Sequence, residues 1–182
     1  MGIETEAGAI KTDNFNRTNI ENIYAIGDVC GPPWLAHVAS AQGYLAAEHS
    51  AGLNVNPIDY LNIPGCTYCQ PQVGSLGMTE EQALSSGFKV KVGKFSFQAS
   101  GKAMAIGNTI GFVKLIFDEK YGELLGAHIV GSEATEMIAE LGMAKALEST
   151  WDDLSMTVHA HPTLSEAIME AAMDAQGYSI HQ

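Results

Sequence analysis

Positive charge is what this sequence has least of. Nine Lys and Arg stand against 21 Asp and Glu in 182 residues, a formal net charge of −12, and no basic cluster occurs along the chain. A polyanion finds no matching surface, which argues against nucleic acid and against an anionic membrane as partners. Long apolar runs are missing as well, and none approaches the length that spans a bilayer. The opening MGIETEAG lacks the basic and apolar regions of a secretory signal. Met1-Gly2 has the form of a myristoylation start, but Glu6 stands where that motif takes Ser or Thr. These absences lead to the expectation of a soluble, intracellular, cytoplasmic protein. Cysteine is scarce and odd in number, Cys30, Cys66 and Cys69, so a disulfide framework is excluded. Cys66-x-x-Cys69 has no second pair to complete a zinc site, and it lies in PGCTYCQPQVGSLG, a strand-and-turn sequence. Both cysteines read as small side chains in or near a strand. No metal site follows from the histidines either: His37 and His49 are twelve apart on one helix, His128 has the small and apolar neighbours of a core strand residue, and His181 is in a tail.

What is present is enough for a core. With 46% hydrophobic and 16% charged residues, the chain is long enough for one domain, or one domain and part of another. Residues 1–22 read as a short hairpin and a connector. NIYAIGDV, Asn22 to Val29, is an apolar run ending in Gly-Asp, and it fits a strand buried on both faces of a parallel sheet. Gly27 at its end would let a ligand approach the backbone, and Asp28 would offer a carboxylate to a hydroxyl. From Leu35 to Gly52 the apolar positions keep a helical period, and Gly52 is a reasonable stop.

Residues 54–64 hold two prolines without helical period and read as a linker. An α+β arrangement follows it. One strand is expected around Cys66 to Leu76, then a short helix capped by Thr79-x-x-Gln82 and ended by Gly87. Alternating segments about Lys89–Phe97, Gly111–Phe117 and Leu124–Val130 predict antiparallel strands. Helices are expected from Ser132 or Glu133 to about Ser149 and from about Thr163 to Gln176. The tail Gly177–Gln182 reads as loose.

The chemistry concentrates in HAHPTLSE, His159 to Glu166. Pro162 disfavours helical geometry at His161, which therefore ends a loop, and Glu166 falls one turn into the next helix. Two readings stand side by side. Thr163-x-x-Glu166 has the form of a capping box. Alternatively the Glu166 carboxylate holds one nitrogen of His161 and raises the basicity of the other, as a general acid/base near neutral pH needs. His159 would share a face with His161 and reads as support for the loop.

Five motifs in order carry a resemblance: NIYAIGDV, WLAHVASAQG, IPGCTYCQPQVGSLGMTEEQA, GAHIVGSEATEMI and HAHPTLSEA. Together they resemble the C-terminal part of the dihydrolipoamide dehydrogenases, and they span nearly the whole chain. The resemblance implies an antiparallel sheet flanked by helices, the reductase dimerisation domain, over 59–182. Residues 1–58 would be the last strand and helix of an FAD-binding domain. It implies that Gly27 and Asp28 meet the ribityl chain of FAD, that Trp34, Leu35, Ala36 and His37 lie along the isoalloxazine, and that His161 is the acid/base oriented by Glu166. In the family this pair serves the flavin and redox disulfide of the other subunit of a homodimer, and the His-Pro bond is often cis. NAD is the acceptor, and the lipoyl domains and E2 core of 2-oxoacid dehydrogenase complexes are the partners, in the mitochondrial matrix where the source is eukaryotic.

The departures bound that implication. The sequence has no G-x-G-x-x-G and no Cys-x4-Cys, so the chain is expected to hold a proton-transfer residue without the groups that move electrons. Two other readings remain open here, a dimerisation module without catalysis and a different flavin disulfide reductase such as a glutathione or mercuric reductase. The tail lacks the cysteine pair of the mercuric enzymes.

Overall fold

The computed structural model describes residues 2–181; Met1, of the Met1-Gly2 pair, and Gln182, at the end of the tail, lie outside the described residues. By its internal contacts the chain divides into two compact units, one ending at Tyr60 and one beginning at Leu61.

The first unit opens with a hairpin of β1 (Thr5–Glu6) and β2 (Ala9–Ile10). Its two-residue turn places Ala7 at φ 50° and Gly8 at φ 86°, the left-handed pair whose twist matches flanking antiparallel strands. Further on, α1 (Ala36–Ser50) buries Val38, Gln42, Leu45 and Ala46, one stripe at helical spacing. Gly52 at φ 79° ends it, with the Leu53 amide donating to the Glu48 carbonyl, as a glycine stop does.

The reading of Asn22–Val29 as a doubly buried parallel strand is corrected. Within that run only Tyr24 bridges to another segment, Arg17, antiparallel, and Gly27–Cys30 is a 3-10 turn. Ala25 is buried, but Ile26 and Val29 are exposed. The left-handed φ values of 63° at Asn22 and 74° at Gly27 bound the run to a short stretch, within which only Tyr24 finds a bridge partner.

In the second unit, β3 (Gly65–Thr67), β4 (Gln72–Gly77), β5 (Val90–Ser96), β6 (Phe112–Asp118) and β7 (Leu124–Gly131) form a 5-stranded sheet in the order β3-β4-β7-β6-β5. Every pairing is antiparallel, as the alternation predicted. The single strand expected from Cys66 to Leu76 is instead the hairpin β3–β4, broken at residues 68–71 by a turn with a cis Gln70-Pro71 bond. Proline cannot donate to a ladder, so the run splits there. Helix α2 (Glu80–Ser85) starts at a complete Thr79–Gln82 capping box. A short helix not read from the sequence, α3 (Gly101–Ala105), follows a 3-10 turn at Phe97–Ala99.

Three more helices, α4 (Ala134–Ala146), α5 (Trp151–Met156) and α6 (Glu166–Ala175), share the main core with the sheet. Val113, Leu115, Phe117, Ala127 and Ile129 of the strands meet Ile138, Leu141, Ile168 and Ala172 of the helices. A smaller core of Ala83, Ile116 and Leu125 lies under α2. Two close approaches set how near the helices come. A Cβ at Gly74 would stand 2.6 Å from the Ala134 carbonyl oxygen, and one at Gly93 would stand 1.8 Å from that of Ala171. Glycine on the strand and alanine on the helix therefore let backbone pack on backbone, and the approach at Gly93 seats α6 and what it carries.

Candidate functional site

The site is built on the loop between α5 and α6. Thr150 and Asp153 form a reciprocal capping box at the start of α5, and the helix ends where the Thr157 hydroxyl donates to the Asp153 carbonyl at 2.7 Å. Three successive residues of the loop are then tied down. The His159 ring lies 2.9 Å from the Thr157 carbonyl through Nδ1 and 2.7 Å from Glu140 Oε1 on α4 through Nε2. The Ala160 carbonyl accepts from the Thr163 hydroxyl at 2.7 Å. His161 Nδ1 lies 2.9 Å from Glu166 Oε1, and the His161-Pro162 bond is cis.

The cap and the dyad turn out to share one carboxylate. Oε1 of Glu166 holds the His161 ring, while Oε2 accepts from the Thr163 amide at 2.8 Å. The capping box is only half formed, because the Thr163 hydroxyl turns to Ala160 and Ser165 is the N-cap of α6. Glu166 is thus the first residue of the helix, not one turn into it, and a carboxylate there also meets the positive end of the helix dipole.

Since a carboxylate can only accept, His161 donates from Nδ1, and Nε2 carries the lone pair. The His161 side chain is 77% exposed, so Nε2 can reach a substrate, whereas Glu166 is 26% exposed. Burial works against the Glu166 charge, but the Thr163 amide and the His161 ring outweigh it and hold its pKa below the ordinary carboxylate value. The His159 side chain is 5% exposed. Its hydrogen bond to Glu140 raises its pKa, against the opposing effect of burial. This arrangement can take a proton at one nitrogen and stabilise the resulting imidazolium at the other.

Beside the dyad, a cavity of about 240 Å³ is lined by Phe95, Ser100, Met104, His161, Glu166 and His181. His181 brings a second correction, because the tail is pinned as far as this residue. Its ring meets Glu170 on α6 at 2.5 Å, and the Ile180 and His181 amides donate to the other Glu170 oxygen. Neither Glu140 nor Glu170 was a candidate from the sequence, since no linear spacing links them to their histidines. A buried Glu on the Ala-rich face of α6 is the one signal that could have flagged the second.

In the first unit, the hairpin and the 3-10 turn enclose a depression of about 500 Å³ lined by Asp28, Cys30, Gly31, Pro32 and Trp34 together with residues 6–12. It brings Asp28 and Trp34 together. Gly27, Leu35, Ala36 and His37 do not line it, although the Gly27 amide donates to buried Gln42 at 2.6 Å. Leu35 is the N-cap of α1, and Ala36 and His37 open the helix.

Cys66 and Cys69 are free thiols, in β3 and in the β3–β4 turn, and burial, with the nearby Glu136 charge, pushes Cys66 above the ordinary thiol range. Among the described residues no cluster of three or more His, Cys, Asp or Glu could hold a metal ion. No described helix is long and apolar enough to cross a membrane.

Comparison with known proteins adds relatives to this geometry. Residues 63–172 match the family described as pyridine nucleotide-disulphide oxidoreductase, dimerisation domain, and residues 1–43 match pyridine nucleotide-disulphide oxidoreductase. The chain is 52% identical over its full length to a dihydrolipoyl dehydrogenase of Zymomonas mobilis, of which it covers 39%. It is 51% identical over 97% of its length to that of Rhizobium etli, of which it covers 37%. The chain thus spans less than two-fifths of the curated relatives it matches. Among solved structures, LpdA from Mycobacterium tuberculosis superposes with a TM-score of 0.89 at 27% identity, over 94% of this chain and 38% of that one. The HOCl-induced flavoprotein disulfide reductase RclA from Escherichia coli superposes at 0.88 and 28% identity, over 94% and 40%.

Proposed function

The chain belongs to the pyridine nucleotide-disulphide oxidoreductase family, and from that membership we propose that it is the C-terminal interface portion of a dihydrolipoyl dehydrogenase. The complete enzyme would oxidise protein-bound dihydrolipoamide through a redox disulfide and FAD, with NAD⁺ as acceptor. Residues 1–58 would close an FAD-binding domain and residues 59–182 would form the interface domain.

The observation that carries this reading is the His161–Glu166 pair, a ring held at Nδ1 with Nε2 open to solvent. His161 Nε2 would accept the proton of a dihydrolipoamide thiol, so that the sulfur reacts as thiolate. Glu166 would keep the ring in the tautomer that accepts at Nε2, and would lower the cost of the imidazolium once formed. The proton then returns from Nε2 or passes to solvent through the exposed edge.

The first unit fits part of a flavin site by its donors. The exposed Asp28 carboxylate can accept from the hydroxyls of a polyol chain, and Trp34 shares its depression. Leu35, whose own amide donates to the Pro33 carbonyl, Ala36 and His37 would line a flat heterocycle at the start of α1. When bound, FAD supplies the two-electron acceptor.

The unit matching the dimerisation domain would pair with a second copy, and the lipoyl domains and E2 core of a 2-oxoacid dehydrogenase complex would be the partners of the whole enzyme. Bacterial relatives fit a cytoplasmic setting. The test is complementation: the chain is combined with the N-terminal FAD and NAD domains of a dihydrolipoyl dehydrogenase, and dihydrolipoamide-dependent NADH formation is followed. Activity that appears with the wild-type chain and is lost with His161→Ala supports the reading. Equal activity with both chains sinks it.

A further inference from the structure

The strongest unassigned feature is the environment of His159. Its side chain is 5% exposed, yet both ring nitrogens are engaged, Nδ1 by the Thr157 carbonyl at 2.9 Å and Nε2 by Glu140 at 2.7 Å. A carbonyl oxygen and a carboxylate only accept. A neutral imidazole has one N–H and would leave one nitrogen lone pair facing an oxygen lone pair, with almost no access for water to intervene. The Glu140 side chain is 34% exposed.

We propose that His159 is held as a permanent imidazolium, clamped by Glu140, and that it positions and polarises the His161–Glu166 dyad from behind. The assignment makes His159 and Glu140 positioning residues for the reaction proposed above, and in that respect it rests on that reading. Its geometry has two parts. The His159–Glu140 pair ties the loop to α4, while His161–Glu166 and Thr163–Glu166 tie it to α6, so the dyad ring is set between two helices instead of hanging from one. The charged groups that act on His159 are Glu140 from α4 and Glu166 from α6. The cation in turn favours the carboxylate form of Glu166, the form needed to hold His161 in its accepting tautomer.

A role confined to packing would be served as well by a neutral ring, and ring protonation separates the two. In the full 182-residue chain with ¹⁵N-labelled histidine, a long-range ¹H–¹⁵N spectrum at pH 7.5 is expected to show one histidine protonated on both nitrogens. That signal disappears in His159→Gln and converts to a single-proton tautomer in Glu140→Gln. The Glu166 side-chain carboxyl, followed by ¹³C shift, is expected to titrate at higher pH in His159→Gln than in wild type. A single-proton tautomer for His159 in the wild-type chain at pH 7.5 overturns the proposal, and so does an unmoved Glu166 midpoint in a folded His159→Gln chain. If His159→Gln does not fold, the Glu140→Gln tautomer decides.

None of these signals needs turnover, so failed complementation would strike the functional reading and leave this one standing. Complementation that succeeds beside a neutral His159 would do the reverse. Where both hold, Glu140→Gln lowers kcat of the complemented enzyme by up to about a hundredfold, the scale of a misplaced catalytic group, with KM little changed.

Discussion

His161 and Glu166 face each other at 2.9 Å across the entry to α6, and the second oxygen of the same carboxylate is occupied by the Thr163 amide. One side chain therefore starts the helix and aims the ring, so a change at Glu166 is expected to register in stability as well as in activity.

Glu166→Gln is expected to cost about 1 kcal/mol of stability at neutral pH, the usual worth of such a charge-assisted cap. The folded pKa of Glu166 is depressed. Its contribution is then fully present above the unfolded carboxylate value of about 4.5 and is lost as pH falls through the lower folded value. Melting curves of wild type and Glu166→Gln should differ at pH 7 and converge on acidification through that window; curves that diverge instead would contradict the direction of the shift.

The approach of α6 to β5 makes a sharper prediction. Gly93→Ala would drive a Cβ into the Ala171 carbonyl, and a backbone oxygen cannot step aside as a flexible side chain can. A loss of about 3 kcal/mol or more is expected in urea unfolding. Gly101→Ala meets nothing within 4 Å and is expected to be neutral, or stabilising by up to about 1 kcal/mol.

Removing residues 177–182 should destabilise the chain by about 2 kcal/mol, because the Glu170 side chain, 3% exposed, loses the Ile180 and His181 amides and the His181 ring together, and a carboxyl on the core side of α6 is left without those partners. Glu170→Leu in the shortened chain should recover most of that loss. Recovery is the informative arm, since a tail that merely covered apolar surface would leave the double change no better than the truncation.

Self-association is checked by solution mass. Met143 and Leu147 near the end of α4, Met156 at the end of α5 and Val158 beyond it are exposed, Val158 at 95%, within the unit that matches a dimerisation domain. Sedimentation of the purified chain is expected to give a dimer, and Val158→Glu a folded species of half that mass. A wild-type monomer at micromolar concentration would remove the support for a site shared between subunits.

Periodicity and turn chemistry made much of the second unit legible beforehand. The Thr79–Gln82 box, the alternating strands and the helix carrying Met137, Ile138 and Leu141 are local patterns, and local patterns survive into the fold when the faces they define can be buried. The run Asn22–Val29 has the apolar content of a strand without being one, because a strand exists only through the ladder it pairs in. Cys66–Leu76 forms two strands where its pattern suggests one, because Pro71 inside the stretch interrupts the ladder.

By itself, then, the sequence determined the antiparallel α+β class, a non-helical His161 before Pro162 and the nearness of Glu166 along the chain, since each follows from alternation, proline geometry and spacing, whereas the loop runs on to Ser165 before α6 begins. Only the tertiary structure decided that Glu166 serves cap and ring together, that Glu140 on α4 reaches His159, and that Glu170 holds the tail. The reason is sequence separation. Partners 11 to 19 residues apart on different elements leave no periodic trace, and they meet because close packing at Gly74 and Gly93 brings α4 and α6 onto the sheet.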